Sequence, residues 1–193
     1  MRHFMIFILF LFAVESSNGQ GHWLMGPTVG PHYSSSYIEH TIYRVNLLSR
    51  PIRGLHGGLM FQYFPDIYKG SLKTGLRMSI NFTEKGWDQE YLDTLNTLQT
   101  VRTKMDYLNI PIESIFYVGS QKSKAYLLLG IYVDFLLRYD VPKDPQDKSE
   151  KTDFWTFDPQ RDKSFAYGGK CGLGYQRKMG FGQLSLEAYI TYG

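Results

Sequence analysis

Between Tyr107 and Asp140 the chain alternates apolar and polar residues twice, on either side of the short segment Gly119-Ser120-Gln121-Lys122-Ser123. In the first run Leu108, Ile110, Ile112, Phe116 and Val118 share one parity, and Asn109, Pro111, Glu113 and Tyr117 take the other. In the second, Leu127, Leu129, Ile131, Val133, Phe135 and Leu137 oppose Tyr126, Gly130, Tyr132, Asp134 and Arg138. Successive side chains of a strand point to opposite faces, so this segment predicts a β-hairpin with one apolar face and one that carries charge. The runs Trp23 to Tyr33, Leu55 to Phe64, Ser71 to Thr83, Phe165 to Arg177 and Gln183 to Tyr192 repeat the pattern, which makes seven predicted strands. Pro27 and Pro31 weaken the first, because proline fits only an edge, a bulge or a position without a ladder hydrogen bond.

The charges test this assignment, since apolar residues alone defined the faces. Lys73, Arg77, Glu113, Asp134, Arg138, Lys170 and Glu187 all fall on the polar parity. Arg177 falls on the apolar side, at a strand end from which a long stem reaches an interface. The connections alternate in length: Ser34 to Gly54, Glu84 to Met105 and Val141 to Lys163 are long, whereas Pro65 to Gly70, Gly119 to Ser123 and Lys178 to Gly182 are short. Antiparallel strands with short turns at one end and long polar loops at the other predict an all-β, up-and-down transmembrane barrel. After the N-terminal run no segment is apolar for the length of a helical span, so a membrane would be crossed by a closed barrel.

Periodicity does not say which face is inside. In a transmembrane barrel Leu127, Leu129, Ile131, Val133 and Phe135 face lipid. The seven charges then form a lumen cluster, with Lys73, Arg77, Arg138 and Lys170 pairing with Glu113, Asp134 and Glu187, because unpaired buried charge is costly. A barrel of about eight strands is just wide enough for side chains to fill it, which favours a plug over a conduit. Tyr33, Tyr63, Phe82, Tyr107, Tyr139, Phe165, Tyr175 and Tyr192 lie near strand ends, as an interfacial girdle requires. The alternative is a soluble, secreted lipocalin-like barrel that binds a ligand inside, with the stripes turned inward; Gly21-His22-Trp23 matches the G-x-W opening of that class. A lipid-modifying enzyme would need a nucleophile beside a base, for which His32, Ser34, Ser35, Ser36 and His56 are the candidates. A run of serines after a strand reads instead as a loop, and the expectation is a non-enzymatic protein.

Composition narrows the rest. A chain of 193 residues, 43% hydrophobic and 20% charged, is one folded domain's worth, and 28 Tyr and Phe with 19 Gly favour strands and turns. A net charge of +3 with scattered bases argues against a nucleic-acid partner. Cys171 is the single cysteine, so no internal disulfide forms, no metal spacing exists and no cofactor is expected. Met1-Arg2-His3, the apolar run Phe4 to Val14 and the polar stretch Glu15 to Gln20 read as a cleaved signal peptide over 1–20, with the barrel domain over 21–193. The Asn81-Phe82-Thr83 sequon lies on a predicted strand and reads as accidental.

Trp23-Leu24-Met25-Gly26-Pro27, Gly54-Leu55-His56-Gly57-Gly58-Leu59, Thr74 to Asn81 leading to Lys85-Gly86, Tyr107-Leu108-Asn109-Ile110-Pro111-Ile112, Leu129-Gly130-Ile131-Tyr132 and Gly172-Leu173-Gly174-Tyr175 occur in that order. This series resembles the small outer-membrane β-barrel proteins of Bacteroidetes that include the PorT-like family. The resemblance spans nearly all of residues 21–193, and its most specific piece is Tyr-Leu-Asn-Ile-Pro-Ile. It implies a cell outer-membrane barrel of about eight strands, with outer-membrane lipid and the barrel-assembly machinery as partners, and no catalytic residues. The external-loop ligand stays unassigned. An even strand number is the rule for such barrels, so the expectation is that the chain lacks a closing strand at its C-terminus, or that Tyr37 to Leu48 supplies the missing pairing.

Overall fold

The computed structural model describes residues 21–36, 49–65, 72–92, 98–120, 122–140, 164–180 and 182–193. They form seven strands: β1 (Gly21–Ser34), β2 (Ser49–Pro65), β3 (Lys73–Leu92), β4 (Leu98–Gly119), β5 (Ser123–Asp140), β6 (Phe165–Met179) and β7 (Gly182–Tyr192). Each pairs antiparallel with its sequence neighbours in one sheet of order β1-β2-β3-β4-β5-β6-β7, and β1 and β7 are its margins. The central hairpin pairs Gly119 with Lys124 and Glu113 with Gly130. Its tight turn starts from Gly119 at φ 125, a left-handed conformation in which an added Cβ would meet Ser123 O at 2.5 Å.

The sheet curls into a half-barrel, and the period-2 pattern decides which face is concave. On β5, Tyr126, Leu128, Tyr132 and Asp134 are buried, while Leu129, Ile131 and Phe135 stand exposed on the convex side, with Leu127 and Val133 half-buried. On β3, Arg77, Ser79, Asn81 and Thr83 point inward, and Leu76, Met78, Ile80 and Phe82 outward. At the margins the outward residues are barer still, with Val29 83% and Leu186 79% exposed. The apolar stripes therefore coat the outside. This overturns the lipocalin alternative, in which the same residues would fill the centre.

Two long connections are shorter than their composition suggests. β3 and β4 run past Thr83 and begin well before Tyr107, leaving only 93–97 between them, and β2 begins at Ser49 rather than Leu55. The apolar stripe, which marked the strands in the sequence, stops at the paired residues Phe82 and Leu108. Beyond that row the ladder continues through Glu84 and Asp106, Gly86 and Lys104, and Asp88 and Arg102. Hydrogen bonding between the two backbones does not need an apolar face, so the ribbon outlasts the stripe. Residues 1–20, 37–48 and 141–163 lie outside the described residues, and with them the expected signal peptide, the Tyr37 to Leu48 pairing and most of the third long loop.

Candidate functional site

The site is the interior, and the strand register lays it out in rows. One row passes through Gln62, Arg77, Glu113, Gly130, Lys170 and Thr191 on six successive strands. Arg77 is its hub. Arg77 Nη1 and Nη2 each donate to a Glu187 carboxylate oxygen at 2.7 Å, a bidentate pair between β3 and β7, which lie four strands apart in the sheet. Such a contact requires the sheet to curl until inward side chains of its two halves meet. Arg77 Nη1 also lies 4.0 Å from Glu113, and the Gln62 amide oxygen accepts from Arg77 Nε at 2.8 Å when turned toward it. The Tyr126 hydroxyl donates to Glu187 at 2.5 Å, and the Arg77 guanidinium sits 5.6 Å from that ring's centroid.

Glu113 is 1% exposed and held by charge rather than by aligned hydrogen bonds: Lys170 Nζ lies 3.2 Å from its Oε1. Gly130 separates Glu113 from Lys170 in the row and leaves open the path between them. A Cβ at Gly130 would lie 2.2 Å from Ile112 O and 2.9 Å from Glu113 Cγ. Gly174 does the same for Tyr126, whose ring covers it on the way to Glu187.

Toward the loop end a second cluster forms. Lys85 Nζ lies 2.5 Å from Asp134 Oδ2, Asn109 Nδ2 donates to Asp134 Oδ1 at 2.6 Å, and the Lys85 ammonium is 4.8 Å from the Tyr132 ring centroid. Toward the turn end the interior is apolar, with Phe64, Ile115, Tyr126 and Leu128 packed together and Leu24 and Tyr117 against them. From this end to the other, the interior is greasy, then charged around Arg77, then charged around Asp134.

Of the seven charges placed on the polar parity, Arg77, Glu113, Lys170 and Glu187 meet in one network, and Asp134 belongs to the second cluster. Lys73 is half-buried at the turn end, away from both. Arg138 requires a correction. Leu137 is an extra residue in β5 at the register shift beside Asp106 and Tyr107, so Arg138 leaves the inner row and stands exposed opposite Asp106. Asp134 pairs with Lys85 instead, which lies beyond the apolar stripe yet continues the inward parity of Arg77, Ser79, Asn81 and Thr83 on β3. Ile115 and Leu128 were missed too, since apolar residues on the polar parity carry no signal in the alternation alone.

Of the candidate catalytic residues, His56, Ser34 and Ser35 are engaged with other groups, while His32 Nε2 is buried without a hydrogen-bond partner among the described residues. His56 pairs with Gly30 and His32 with Gly54, which puts both rings on the inner face of β1 and β2. The His56 ring lies 3.2 Å from the Tyr189 hydroxyl. Ser34 Oγ donates to Gly86 O at 2.9 Å and accepts from Gly86 N at 2.8 Å, and the Ser35 and Ser49 hydroxyls are 3.1 Å apart. Among the described residues no group of three or more His, Cys, Asp or Glu side chains could hold a metal ion.

An apolar outer wall around a charged interior, on antiparallel strands joined in sequence order, is the arrangement of a membrane β-barrel. Comparison with curated proteins and with solved structures returns no match. The family model described as the outer membrane protein beta-barrel domain matches residues 14–193, nearly the whole chain. The chain belongs to that family, and is an outer-membrane β-barrel protein.

Proposed function

We propose that this protein is a plugged, non-conducting and non-enzymatic barrel whose work is done by the segments at its loop end, as a receptor, adhesion or envelope-assembly surface of the PorT-like kind. The observation that carries the reading is the bidentate Arg77–Glu187 pair, which spans the interior from β3 to β7 at 2.7 Å and is flanked by Glu113, Lys170 and Tyr126. A small barrel has room for little more than its own side chains, and charges paired across it leave no continuous water column. The apolar cluster of Phe64, Ile115 and Leu128 adds a second barrier at the turn end. The resemblance to PorT-like proteins in the Tyr107 to Ile112 stretch supports the envelope-assembly reading.

Planar-bilayer recording tests the plug. The folded protein is expected to give no stable ohmic steps, and Arg77→Ala with Glu187→Ala to produce them; steady conductance by the unaltered protein sinks the proposal. Fractionation with heat-modifiability provides the companion test, with the unheated barrel in outer-membrane fractions migrating differently from the boiled chain.

A further inference from the structure

Charge is distributed differently at the two ends of the barrel. At the loop end acidic and basic residues mix: Glu84, Asp88, Asp106 and Asp140 stand among Arg53, Lys85, Arg102, Lys104 and Arg138, and Arg102 Nε meets Asp88 at 2.7 Å. At the short-turn end the described charges have one sign. Lys73, Lys122, Lys124, Arg177 and Lys178 gather there, and the described residues between Phe64 and Thr74, Phe116 and Ala125, and Tyr175 and Leu186 include no Asp or Glu. Asp66 and Lys69, in the turn between β2 and β3, lie outside the described residues.

Strand pairing makes these cations neighbours. The Lys178 amide donates to Lys122 O at 2.8 Å, Ser123 pairs with Arg177, Gly119 with Lys124, and Lys73 with Tyr117. The ion pairs of the described residues include none of the five. The Lys124 ammonium lies 3.5 Å from the Phe64 ring centroid, on the inner side of this rim. Like charges on adjacent strands repel, so this rim is at its lowest energy with an anion against it. Its position says which. Leu72, Val118, Tyr175, Leu184 and Leu186 are exposed on the outer wall beside it, so the exposed cations Lys122, Arg177 and Lys178 border the apolar band, at the depth where a bilayer places its headgroups, while Lys73 and Lys124 are half-buried on the inward side.

We propose that the short-turn rim binds the phosphate groups of anionic phospholipids in the leaflet it borders, selecting them over zwitterionic ones. Arg177 lies on the outward parity and presents a planar fork to a phosphodiester, while Lys122 in the β4–β5 turn and Lys178 at the end of β6 supply point charges. The selection belongs to this end, since the described residues of the loop end carry both signs side by side.

The test reconstitutes the full chain in phosphatidylcholine bilayers and compares spin-labelled phosphatidylglycerol with spin-labelled phosphatidylcholine in the motionally restricted lipid shell. The expected result is a preference for phosphatidylglycerol of about threefold or more at low salt, which falls toward unity at high salt. The triple variant Lys122→Gln, Arg177→Gln, Lys178→Gln, whose side chains are all exposed, at the β4–β5 turn and the last residues of β6, is expected to lose the preference while retaining heat-modifiability. The loop-end variant Arg53→Gln, Lys104→Gln, Arg138→Gln is expected to keep it. Should the triple variant fail to fold, the single variants Lys122→Gln and Lys178→Gln are each expected to reduce the preference in part. Equal affinity for the two lipids, an equal loss from the loop-end variant, or displacement of phosphatidylglycerol by millimolar inorganic phosphate overturns the proposal.

Discussion

Arg77 is 3% exposed, hydrogen-bonds Glu187 and lies 4.0 Å from Glu113, and a buried charge in that position is worth most when its partners are disturbed. Arg77→Met leaves Glu113 and Glu187 inside without their shared cation and is expected to cost about 3–5 kcal/mol, read from urea unfolding in lipid. Adding Glu187→Leu is expected to recover part of that loss, so the pair is non-additive; equal effects of single and double variants would mean the interior is wet enough to solvate the charges. Gly130 illustrates the opposite constraint, an absent side chain. Gly130→Ala puts a methyl against Ile112 O and Glu113 and is expected to cost about 1–3 kcal/mol by the same measurement, with the Lys170 contact lengthened.

On the elements, the β3–β4 ribbon divides into two environments. A strand crosses a membrane in about 9–11 residues, whereas β3 has 20 and β4 has 22, so both extend beyond the bilayer on the loop side. The change falls at the Phe82 and Leu108 pair, past which Glu84, Asp106, Lys104, Asp88 and Arg102 occupy the strands. Substituting Ile131→Lys within the apolar band is expected to cost about 2–4 kcal/mol, whereas Lys104→Ile above it changes stability by less than about 0.5 kcal/mol. The Arg102 guanidinium, through its hydrogen bonds with Asp88, holds that carboxyl below its ordinary value. A depressed folded pKa contributes stability above the unfolded value, and that contribution fades as pH falls through the folded one. Amide protection near Asp88 and Arg102, corrected for the intrinsic exchange rate, is therefore expected to weaken as the pH drops below about 4, and Arg102→Gln to abolish that weakening.

At the scale of the whole molecule, contacts between distant strands organise the interior. The Arg77–Glu187 and His56–Tyr189 contacts join β3 and β2 to β7, and they brace the curl that strand pairing by itself leaves open. The seven strands and their faces were legible because a side-chain period of two survives in any half-buried sheet. The alternation of Leu127, Leu129 and Ile131 with Tyr126, Gly130 and Tyr132 placed the hairpin without any tertiary information. Strand ends are legible only where they coincide with the apolar stripe, which is why the alternation ends at Thr83 while β3 itself continues through Lys85 to Leu92.

What the sequence determined by itself is local: which residues share a face, where the tight turns fall, and that charge and grease are kept apart along each strand. Three matters were left to the tertiary structure. The direction of curl decides that the apolar face is the outer one, since alternation is symmetric between inside and outside. The register decides partners, because it brings Arg77 to Glu187 across 110 residues and, through one extra residue at Leu137, sends Arg138 to the rim. The curl of the sheet decides that Ile115 and Leu128 pack inside, since a concave face that meets its own side chains is filled whatever the polarity of its parity.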